Sequence, residues 1–306
     1  MLNDMLNYKV KDIELELSTF CNASCQLCYR NYKSFDEHYP DRFHRDYKEL
    51  IQQINSYPDL EYIRLVGSVS EPTMYNKFLE LVDYIKNKDI KIEICTNGST
   101  QDPFWWRSLG VKLTKDDRVY FTITGSTQEI HETYRAGTKL ERILKNVNAY
   151  KSLKDNKNDY AQCIRFDYND DDFNSLRFTE LLTNFSNTYW TETFLLKDKD
   201  NYKNTSRLDK LKPYQDKIEQ YLNIEKIATL KFKKGLSKIA NCKAYNDGSL
   251  QIDVNGKEWP CYLTLEAQID PDWTWEEVLS MKYEACKFCE KSIVQMCDDK
   301  DLDFII

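Results

Sequence analysis

Strand-like and helix-like segments alternate along the first two thirds of this 306-residue sequence. Six short segments show the apolar alternation or β-branched content that is typical of strands: 12–17, 61–66, 90–95, 119–123, 162–166 and 191–196. Segments with a helical apolar period lie between them, at 42–56, 75–87, 103–109, 139–153 and 173–185. Strands that alternate with helices form right-handed βαβ units around a parallel sheet. The sequence therefore predicts an α/β fold, in which six units form an open, TIM-like partial (β/α)6 barrel.

Three cysteines follow the first predicted strand: Cys21, Cys25 and Cys28. Parallel α/β barrels place their active sites in the loops after the strands. A tetrahedral zinc site needs a fourth ligand, and none stands close by in the sequence. A 4Fe–4S cubane takes one thiolate per iron, so three cysteines leave one iron open for a substrate or cofactor. The spacing favours a reactive cluster, with a zinc knuckle or a chance grouping as the alternatives.

The cysteine segment resembles the CxxxCxxC loop of the radical S-adenosylmethionine (radical SAM) superfamily. The resemblance implies a site-differentiated 4Fe–4S cluster on Cys21, Cys25 and Cys28, with S-adenosylmethionine bound at the open iron. It also implies reductive cleavage of that cofactor to methionine and a 5′-deoxyadenosyl radical, which abstracts a hydrogen atom from a substrate. On this interpretation the three cysteines are the catalytic residues.

Three later loops also resemble parts of this family. Segment 67–72 resembles the glycine-rich turn ending in Glu-Pro that binds the cofactor's amino group, and 96–98 is the Thr-Asn-Gly frequent near its ribose. Segment 122–138 resembles a strand followed by Asp-Gly and His-x-x-Tyr-Arg-x-Gly, whose arginine is suited to clamp a carboxylate. Three positions depart from the family pattern, because Val69 and Ser70 stand where glycines are common and Thr124 stands where an aspartate is common. The cofactor-binding residues implied are Leu27, Ser70, Glu71, Thr96, Asn97, Thr124 and Arg135.

Several other polar residues are expected to serve the fold. Cys95 and Cys163 stand alone in strand-like stretches and are expected to be buried core thiols. His131 is expected to pack or cap locally rather than to act as a base. The three aspartates at 170–172 are expected to cap the helix that follows, because a helix N-terminus favours carboxylates.

The charged stretch 197–204 marks a boundary between a barrel domain at 1–205 and a second domain at 206–306. Segment 252–261 is expected to form a hairpin, because Asn255-Gly256 is a strong two-residue turn signal. The second domain carries five cysteines: Cys242, Cys261, Cys286, Cys289 and Cys297. Four thiolates from a hairpin and a Cys-x-x-Cys loop suit zinc and a 4Fe–4S cluster equally well.

The family resemblance favours the cluster over zinc. Radical SAM enzymes often carry a C-terminal auxiliary domain, called SPASM with two clusters and twitch with one, and the cysteine pattern here is similar. The resemblance implies one auxiliary 4Fe–4S cluster on Cys242, Cys261, Cys286 and Cys289, and leaves Cys297 unassigned. An auxiliary cluster without an open iron would accept an electron from the substrate, which favours net oxidation.

Composition excludes several functional classes. The chain has 43 basic and 50 acidic side chains, and its net charge of −7 does not fit a general nucleic-acid-binding surface. The sequence lacks the run of about 18 apolar residues that a membrane span requires. It also lacks the basic start and apolar core of a secretory signal. Ten cysteines without an export signal predict a reducing, cytoplasmic location, where clustered cysteines bind metals.

These features together predict a radical SAM oxidoreductase or maturase that acts on a peptide or small-molecule substrate. An electron donor such as flavodoxin or ferredoxin is implied. The barrel begins near residue 12, which lowers the expectation of a separate leader-peptide-binding domain. The alternative is a non-catalytic electron-transfer or zinc-binding scaffold with a degenerate barrel, and the departures at Ser70 and Thr124 keep it open.

Metal content separates these two interpretations. Protein purified without oxygen is expected to contain about eight iron atoms per chain, because two cubanes hold four irons each. Elemental analysis of iron and zinc is the measurement. Zinc without iron would identify the scaffold instead.

Overall fold

The computed structural model describes residues 9–31, 35–153, 158–192, 211 and 249–259. These residues contain one eight-stranded sheet, in the order β6-β5-β4-β3-β2-β1-β7-β8. The strands are β1 Asp12–Leu15, β2 Tyr62–Leu65, β3 Lys91–Thr96, β4 Arg118–Ile123, β5 Asp159–Arg165, β6 Asn187–Glu192, β7 Ser249–Ile252 and β8 Glu258–Trp259. The pairs from β6 to β7 are parallel and β8 is antiparallel to β7. The predicted α/β fold with a parallel sheet is confirmed.

Helices connect the successive parallel strands. They are α1 Phe35–His38, α2 Tyr47–Asn55, α3 Phe78–Lys86, α4 Pro103–Lys112, α5 Gln128–Tyr134, α6 Leu140–Lys151, α7 Asp170–Phe173 and α8 Leu176–Leu182. The helix predicted at 42–56 begins later, because the Asp46 side chain accepts hydrogen bonds from the amides of Lys48 and Glu49. The helix predicted at 173–185 is divided in two, because Ser175 caps a new helix. Among the described residues, no helix has the length and apolar character needed to span a bilayer.

The sixth strand was predicted at 191–196 but begins at Asn187. Its register explains the difference, because Asn187 pairs with Tyr160 and Glu192 with Arg165. Residues 193–196 and the charged stretch 197–204 lie outside the described residues. Closure of the sheet into a partial barrel, and the domain boundary after residue 205, stay predictions.

The sheet has one apolar face and one polar face. The apolar face and the helices form the main hydrophobic core, with fully buried side chains that include Ile13, Leu15, Ile63, Leu65, Ile92, Ile94, Phe121, Leu50, Phe78 and Trp106. The alternate residues of the strands form the polar face, which includes Asp12, Glu14, Tyr62, Arg64, Glu93, Cys95, Arg118 and Tyr120. Parallel strands covered on both sides are usually apolar throughout. The alternation in these strands therefore leaves one face available for a polar cavity.

The C-terminal hairpin belongs to this sheet. Strand β7 pairs in parallel with β1, with Asp12 opposite Ser249. The predicted hairpin is confirmed, because β8 returns antiparallel to β7. Its turn differs from the predicted two-residue Asn255-Gly256 turn, because the Gly256 amide, at a φ of 80°, donates to the Asp253 carbonyl at 3.0 Å and Val254 and Asn255 are the central residues. The Asp253 carboxylate accepts hydrogen bonds from the backbone amides of Asn255 and Lys257, at 2.8 and 2.9 Å. The hairpin was grouped by sequence with the residues after 206, yet its first strand extends the main sheet beside β1.

The remaining part of the predicted second domain is not described. Within 206–306, the structure describes Leu211 and residues 249–259. The cysteines proposed for the auxiliary cluster, and Cys297, lie outside the described residues: Cys242, Cys261, Cys286, Cys289 and Cys297.

Close packing of α4 against α6 depends on Gly110. A Cβ atom at this position would lie 2.2 Å from the backbone oxygen of Tyr150. Gly110→Ala is expected to lower the free energy of unfolding by about 1–3 kcal/mol, although alanine favours helix, because the two backbones cannot approach as closely. Chemical denaturation measures the change, with Arg107→Ala on the exposed side of α4 as the control. Equal stability of the two variants would show that the helices can separate without cost.

Candidate functional site

A cavity of about 1230 Å³ opens on the polar face of the sheet. Its lining includes side chains from β1 to β6 and the loops that follow β1, β2 and β3. Six of the predicted cofactor-binding residues line it: Leu27, Ser70, Glu71, Thr96, Asn97 and Arg135. The three loop cysteines line the same cavity. The structure therefore brings together residues that are up to 114 positions apart, from Cys21 to Arg135.

The cysteine loop is compact and turns twice within a few residues. Cys25 is buried, and Cys21 and Cys28 are partly exposed. The amide of Cys28 donates to the carbonyl of Cys25 at 3.1 Å, and the amide of Asn31 donates to the carbonyl of Cys28 at 2.8 Å. The Cys21 sulfur accepts a hydrogen bond from the amide of Ala23 at 3.4 Å. These turns place the three sulfur-bearing side chains on one wall of the cavity.

Asparagine side chains tie this loop to the loop after β3. Asn97 Nδ2 donates to Asn22 Oδ1 at 2.8 Å, and Asn22 Nδ2 donates to Ser99 Oγ at 2.8 Å. A backbone bond at 2.8 Å joins the Ser24 amide to the Ala136 carbonyl, in the segment after α5. Hydrogen bonds therefore hold the cysteine loop at Asn22, from the loop after β3, and at Ser24, from the segment after α5.

The loop after β2 supplies further anchors. The Glu71 amide donates to the Phe20 carbonyl at 2.8 Å. The guanidinium of Arg30 donates to the carbonyls of Val69, at 2.9 Å, and Thr19. Arg30 therefore joins the chain before the cysteines to the loop that bears Ser70 and Glu71.

The Glu71 carboxylate lies at the centre of a buried network. Its Oε1 accepts hydrogen bonds from the hydroxyls of Thr73 and Thr96, at 2.6 and 2.5 Å, and its Oε2 accepts one from the Asn97 amide at 2.8 Å. Burial raises the pKa of Glu71 above its ordinary value, and these donors oppose that shift. The resemblance implied contact with a cofactor ammonium, and the structure shows that this carboxylate also joins the ends of β2 and β3.

Ser70, which replaces the expected glycine, has its own buried partner. Ser70 Oγ donates to Glu16 Oε2 and the Val69 amide to Glu16 Oε1, each at 2.9 Å. Glu16 is 2% exposed, and burial raises its pKa to about 7. Sequence reasoning missed this residue. The signal was its position near the end of the alternating segment 12–17, where it is the third acidic residue after Asp12 and Glu14.

Thr124 does not line the cavity. Its amide donates to His131 Nδ1 at 3.2 Å and its hydroxyl donates to the His131 carbonyl at 2.9 Å. His131 Nε2 lies 2.9 Å from the hydroxyl of Thr138, which itself donates to the Arg135 carbonyl at 2.7 Å. Because Nδ1 accepts, the imidazole is neutral and carries its proton on Nε2. The prediction that His131 packs locally is confirmed, and its network holds the backbone of Arg135.

The two isolated thiols differ from each other. Cys163 is fully buried in the main core, as predicted. The prediction of a core position for Cys95 was wrong, because Ile92 and Ile94 occupy the apolar face of β3 and Cys95 therefore faces the cavity. The prediction that the aspartates at 170–172 cap the following helix was wrong, because they lie within the short helix α7 and Ser175 caps α8. Asp172 also accepts hydrogen bonds from the amide and hydroxyl of Ser126, at 2.7 and 2.5 Å.

The donor set around the cysteines fits an iron–sulfur cubane. Burial raises the pKa of Cys21 to about 12 and that of Cys28 to about 11, so both need a cation to become thiolates. Arg135 Nη1 lies 3.5 Å from the Cys25 sulfur, and its buried Nε has no hydrogen-bond partner among the described residues. Among the described residues, no group of three His, Cys, Asp or Glu side chains is arranged to bind a single metal ion. A cubane does not need such convergence, because each thiolate binds a different iron.

A sequence comparison identifies the family of this arrangement. The sequence model that describes the radical SAM superfamily matches residues 15–173, just over half of the chain. A cofactor-modifying protein of a tungsten-containing aldehyde ferredoxin oxidoreductase, from Pyrococcus furiosus, is 26% identical over 148 residues, which cover 47% of this chain and 38% of that protein. The chain matches less than half of the length of its curated relatives.

Crystal structures show the same fold. SuiB from Streptococcus suis, solved with S-adenosylmethionine, has a TM-score of 0.57 and 14% identity, covering 99% of this chain and 69% of that one. SuiB has also been solved with its precursor peptide SuiA, at a TM-score of 0.55, 14% identity, and 99% and 68% coverage. The protein anSMEcpe, solved with AdoMet and a peptide, has a TM-score of 0.52 and 15% identity, covering 94% of this chain and 86% of that one.

The neutral state of His131 has a consequence for stability. Burial lowers its pKa to about 3, whereas an unfolded chain takes up this proton near pH 6.5. The unfolded state binds more protons in this window, so the free energy of unfolding falls as the pH falls from about 6.5, at up to about 1.4 kcal/mol per pH unit. Urea unfolding between pH 5 and 7 is expected to show this slope, and His131→Gln is expected to reduce it. The same slope in both proteins would contradict the assignment.

Proposed function

The chain belongs to the radical SAM superfamily, and we propose that it is an enzyme that cleaves S-adenosylmethionine reductively and abstracts a hydrogen atom from a peptide or small-molecule substrate. One observation carries the proposal. Cys21, Cys25 and Cys28 share the wall of a large polar cavity with the guanidinium of Arg135. Family membership does not favour the alternative of a non-catalytic scaffold.

The family implies a 4Fe–4S cluster and S-adenosylmethionine, and the described residues fit both. With Cys21, Cys25 and Cys28 as its ligands, the cluster would supply the electron that converts the bound cofactor to methionine and a 5′-deoxyadenosyl radical. The cysteine wall and the loops after β2 and β3 line the part of the cavity where this cleavage would take place. Enclosure protects a reactive species from water.

Arg135 and Glu71 are the charged residues available to hold the ends of the cofactor's methionine. The planar guanidinium of Arg135 suits a carboxylate, and its Nε is buried without a partner in the described part of the chain. Glu71 Oε2 accepts one hydrogen bond, from the Asn97 amide, and a carboxylate oxygen can accept a second one from an ammonium. Leu27, Thr96 and Asn97 complete the lining of this region.

The cavity extends from the cysteines along the polar face of the sheet, where a substrate has room. Peptide complexes of SuiB and anSMEcpe support a peptide as the substrate, and the Pyrococcus relative supports a cofactor-like small molecule.

We further propose one auxiliary 4Fe–4S cluster of the SPASM or twitch type, held by Cys242, Cys261, Cys286 and Cys289. Loss of a hydrogen atom, then of an electron to this cluster and of a proton, would amount to dehydrogenation or cross-linking. Flavodoxin or ferredoxin would supply the first electron.

Replacing Cys21, Cys25 and Cys28 together by alanine tests the central assignment. The triple variant is expected to lose about half of the iron and all cofactor cleavage, because one of two cubanes loses its ligands. Iron analysis and chromatography of 5′-deoxyadenosine are the measurements. Cys95→Ala is the matched control, since it removes a cavity thiol outside the loop. Formation of 5′-deoxyadenosine by the triple variant would overturn the assignment.

Arg135→Met tests the cofactor pocket separately from the cluster. Loss of a charge-assisted contact worth about 1.5–3 kcal/mol is expected to weaken S-adenosylmethionine binding about tenfold to a hundredfold at unchanged iron content. Equilibrium dialysis of the anaerobic protein measures the affinity. The control is Arg107→Met, which changes an exposed arginine on α4. Equal affinity of both variants would place the pocket elsewhere.

A further inference from the structure

A row of alternating charges crosses the polar face of the sheet. Glu14 on β1 is in register with Arg64 on β2, Arg64 with Glu93 on β3, and Glu93 with Arg118 on β4. On the other side of β1, Glu14 is in register with Gln251 on β7. The four charged residues all line the cavity. None of these four charged residues belongs to the cysteine loop or to the cofactor-binding residues proposed above.

With Glu14 ionised, this part of the cavity has one carboxylate more than it has guanidiniums. Arg64 bonds to Asp12 at 2.5 Å and lies 4.0 Å from Glu93, and Arg118 lies 3.8 Å from Glu93. The phenol of Tyr62 donates to Glu93 at 2.8 Å. Arg64 is therefore shared by Asp12 and Glu93, and Arg118 pairs with Glu93. Glu14 forms no ion pair within 4 Å among the described residues, so the unmatched carboxyl group of the row is at this position.

A buried amide next to Glu14 has an unused acceptor. Gln251 is 1% exposed, and its Nε2 donates to Glu14 Oε1 at 3.1 Å and to Ser68 Oγ at 3.3 Å. Its Oε1 is buried and has no hydrogen-bond partner in the part of the chain that the structure describes. A buried acceptor without a donor is unfavourable. An amide oxygen accepts hydrogen bonds, so a donor group would suit this position.

The groups around Glu14 suit a ligand that donates hydrogen bonds and has a positive charge. A carboxyl group, an amide oxygen and a serine hydroxyl adjoin one another, and Glu14 and Ser68 line the cavity. An ammonium group has three donors and no acceptor, and its charge would balance the row. We propose that Glu14 and Gln251, with Ser68, form a specificity site for a protonated amine of the substrate. This inference rests on the proposed function, because it assigns part of the same cavity to the substrate.

The protonation of Glu14 is expected to respond to a bound cation. Burial raises its pKa to about 8, Arg64 opposes the shift, and Glu16, Asp12 and Glu93 add to it. A neighbouring cation would favour the charged carboxylate and lower this pKa. Binding of an amine near pH 7 is therefore expected to release a proton from Glu14, which a purely structural Glu14–Gln251 contact would not do.

Calorimetry with defined probes tests the proposal on the anaerobic holoprotein. The probes are capped tripeptides, Ac-Ala-X-Ala-NH2, with lysine, arginine or norleucine as X, and uncapped Ala-Ala-Ala-NH2 as a terminal-amine probe. The lysine probe is expected to bind about tenfold or more tightly than the norleucine probe, because one charge-assisted contact separates them. Titrations in two buffers of different ionisation enthalpy measure proton release. The arginine and terminal-amine probes distinguish the sources of the cationic nitrogen.

Two variants and one control assign the preference to its residues. Glu14→Gln is expected to abolish both the lysine preference and the proton release, and Gln251→Leu is expected to reduce the preference. Glu61→Gln is the control, because Glu61 is an exposed carboxylate that pairs with Lys11 at 2.8 Å. Equal binding of the lysine and norleucine probes to the unmodified protein, including no binding of either, would overturn the proposal. A lysine preference that survives in Glu14→Gln would also overturn it.

Cofactor cleavage in the same preparations separates this inference from the proposed function. A lysine preference without formation of 5′-deoxyadenosine would contradict the proposed reaction and support the amine site. Cleavage without a lysine preference would contradict the amine site alone.

Discussion

Hydrogen bonds from the ends of two neighbouring strands and one helix hold the cysteine loop in place, and the functional site depends on them. The loop has few apolar side chains of its own, so its position is fixed by contacts such as Asn97 to Asn22, Ser24 to Ala136 and Glu71 to Phe20. Those partners follow β2, β3 and α5. A parallel sheet brings the carboxyl ends of its strands to one edge, and a loop after β1 can therefore be bound from several sides.

The two-faced character of the sheet gives this edge a cavity. The apolar face is buried against helices, whereas the polar face has charged side chains that would be costly to bury without partners. Arg64 forms an ion pair with Asp12, and Arg118 forms one with Glu93. The Glu16 carboxylate accepts hydrogen bonds from the Ser70 hydroxyl and the Val69 amide. The cavity thus combines a thiol-rich end with a polar floor, an arrangement that suits a cofactor at one end and a charged substrate at the other.

Local patterns predicted much of the fold and the centre of the site. The parallel sheet, the cysteine loop and the local role of His131 followed from alternation, spacing and resemblance. Features that depend on contacts distant in sequence were missed. The sequence does not show that β7 pairs with β1, or that Glu16 bonds to Ser70. Cys95 was misassigned because its neighbours are apolar, although the period of two in β3 turns it to the opposite face from Ile94.

We propose that S-adenosylmethionine binds to an iron–sulfur cluster held by the three loop cysteines. Electron–nuclear double resonance of the reduced protein can test this binding, with cofactor labelled with ¹⁷O in the carboxylate and ¹⁵N in the amino group. We expect a cluster signal that changes when the cofactor is added and that shows hyperfine coupling to both labels. A cluster signal that is unchanged by the cofactor, with coupling to neither label, would contradict it.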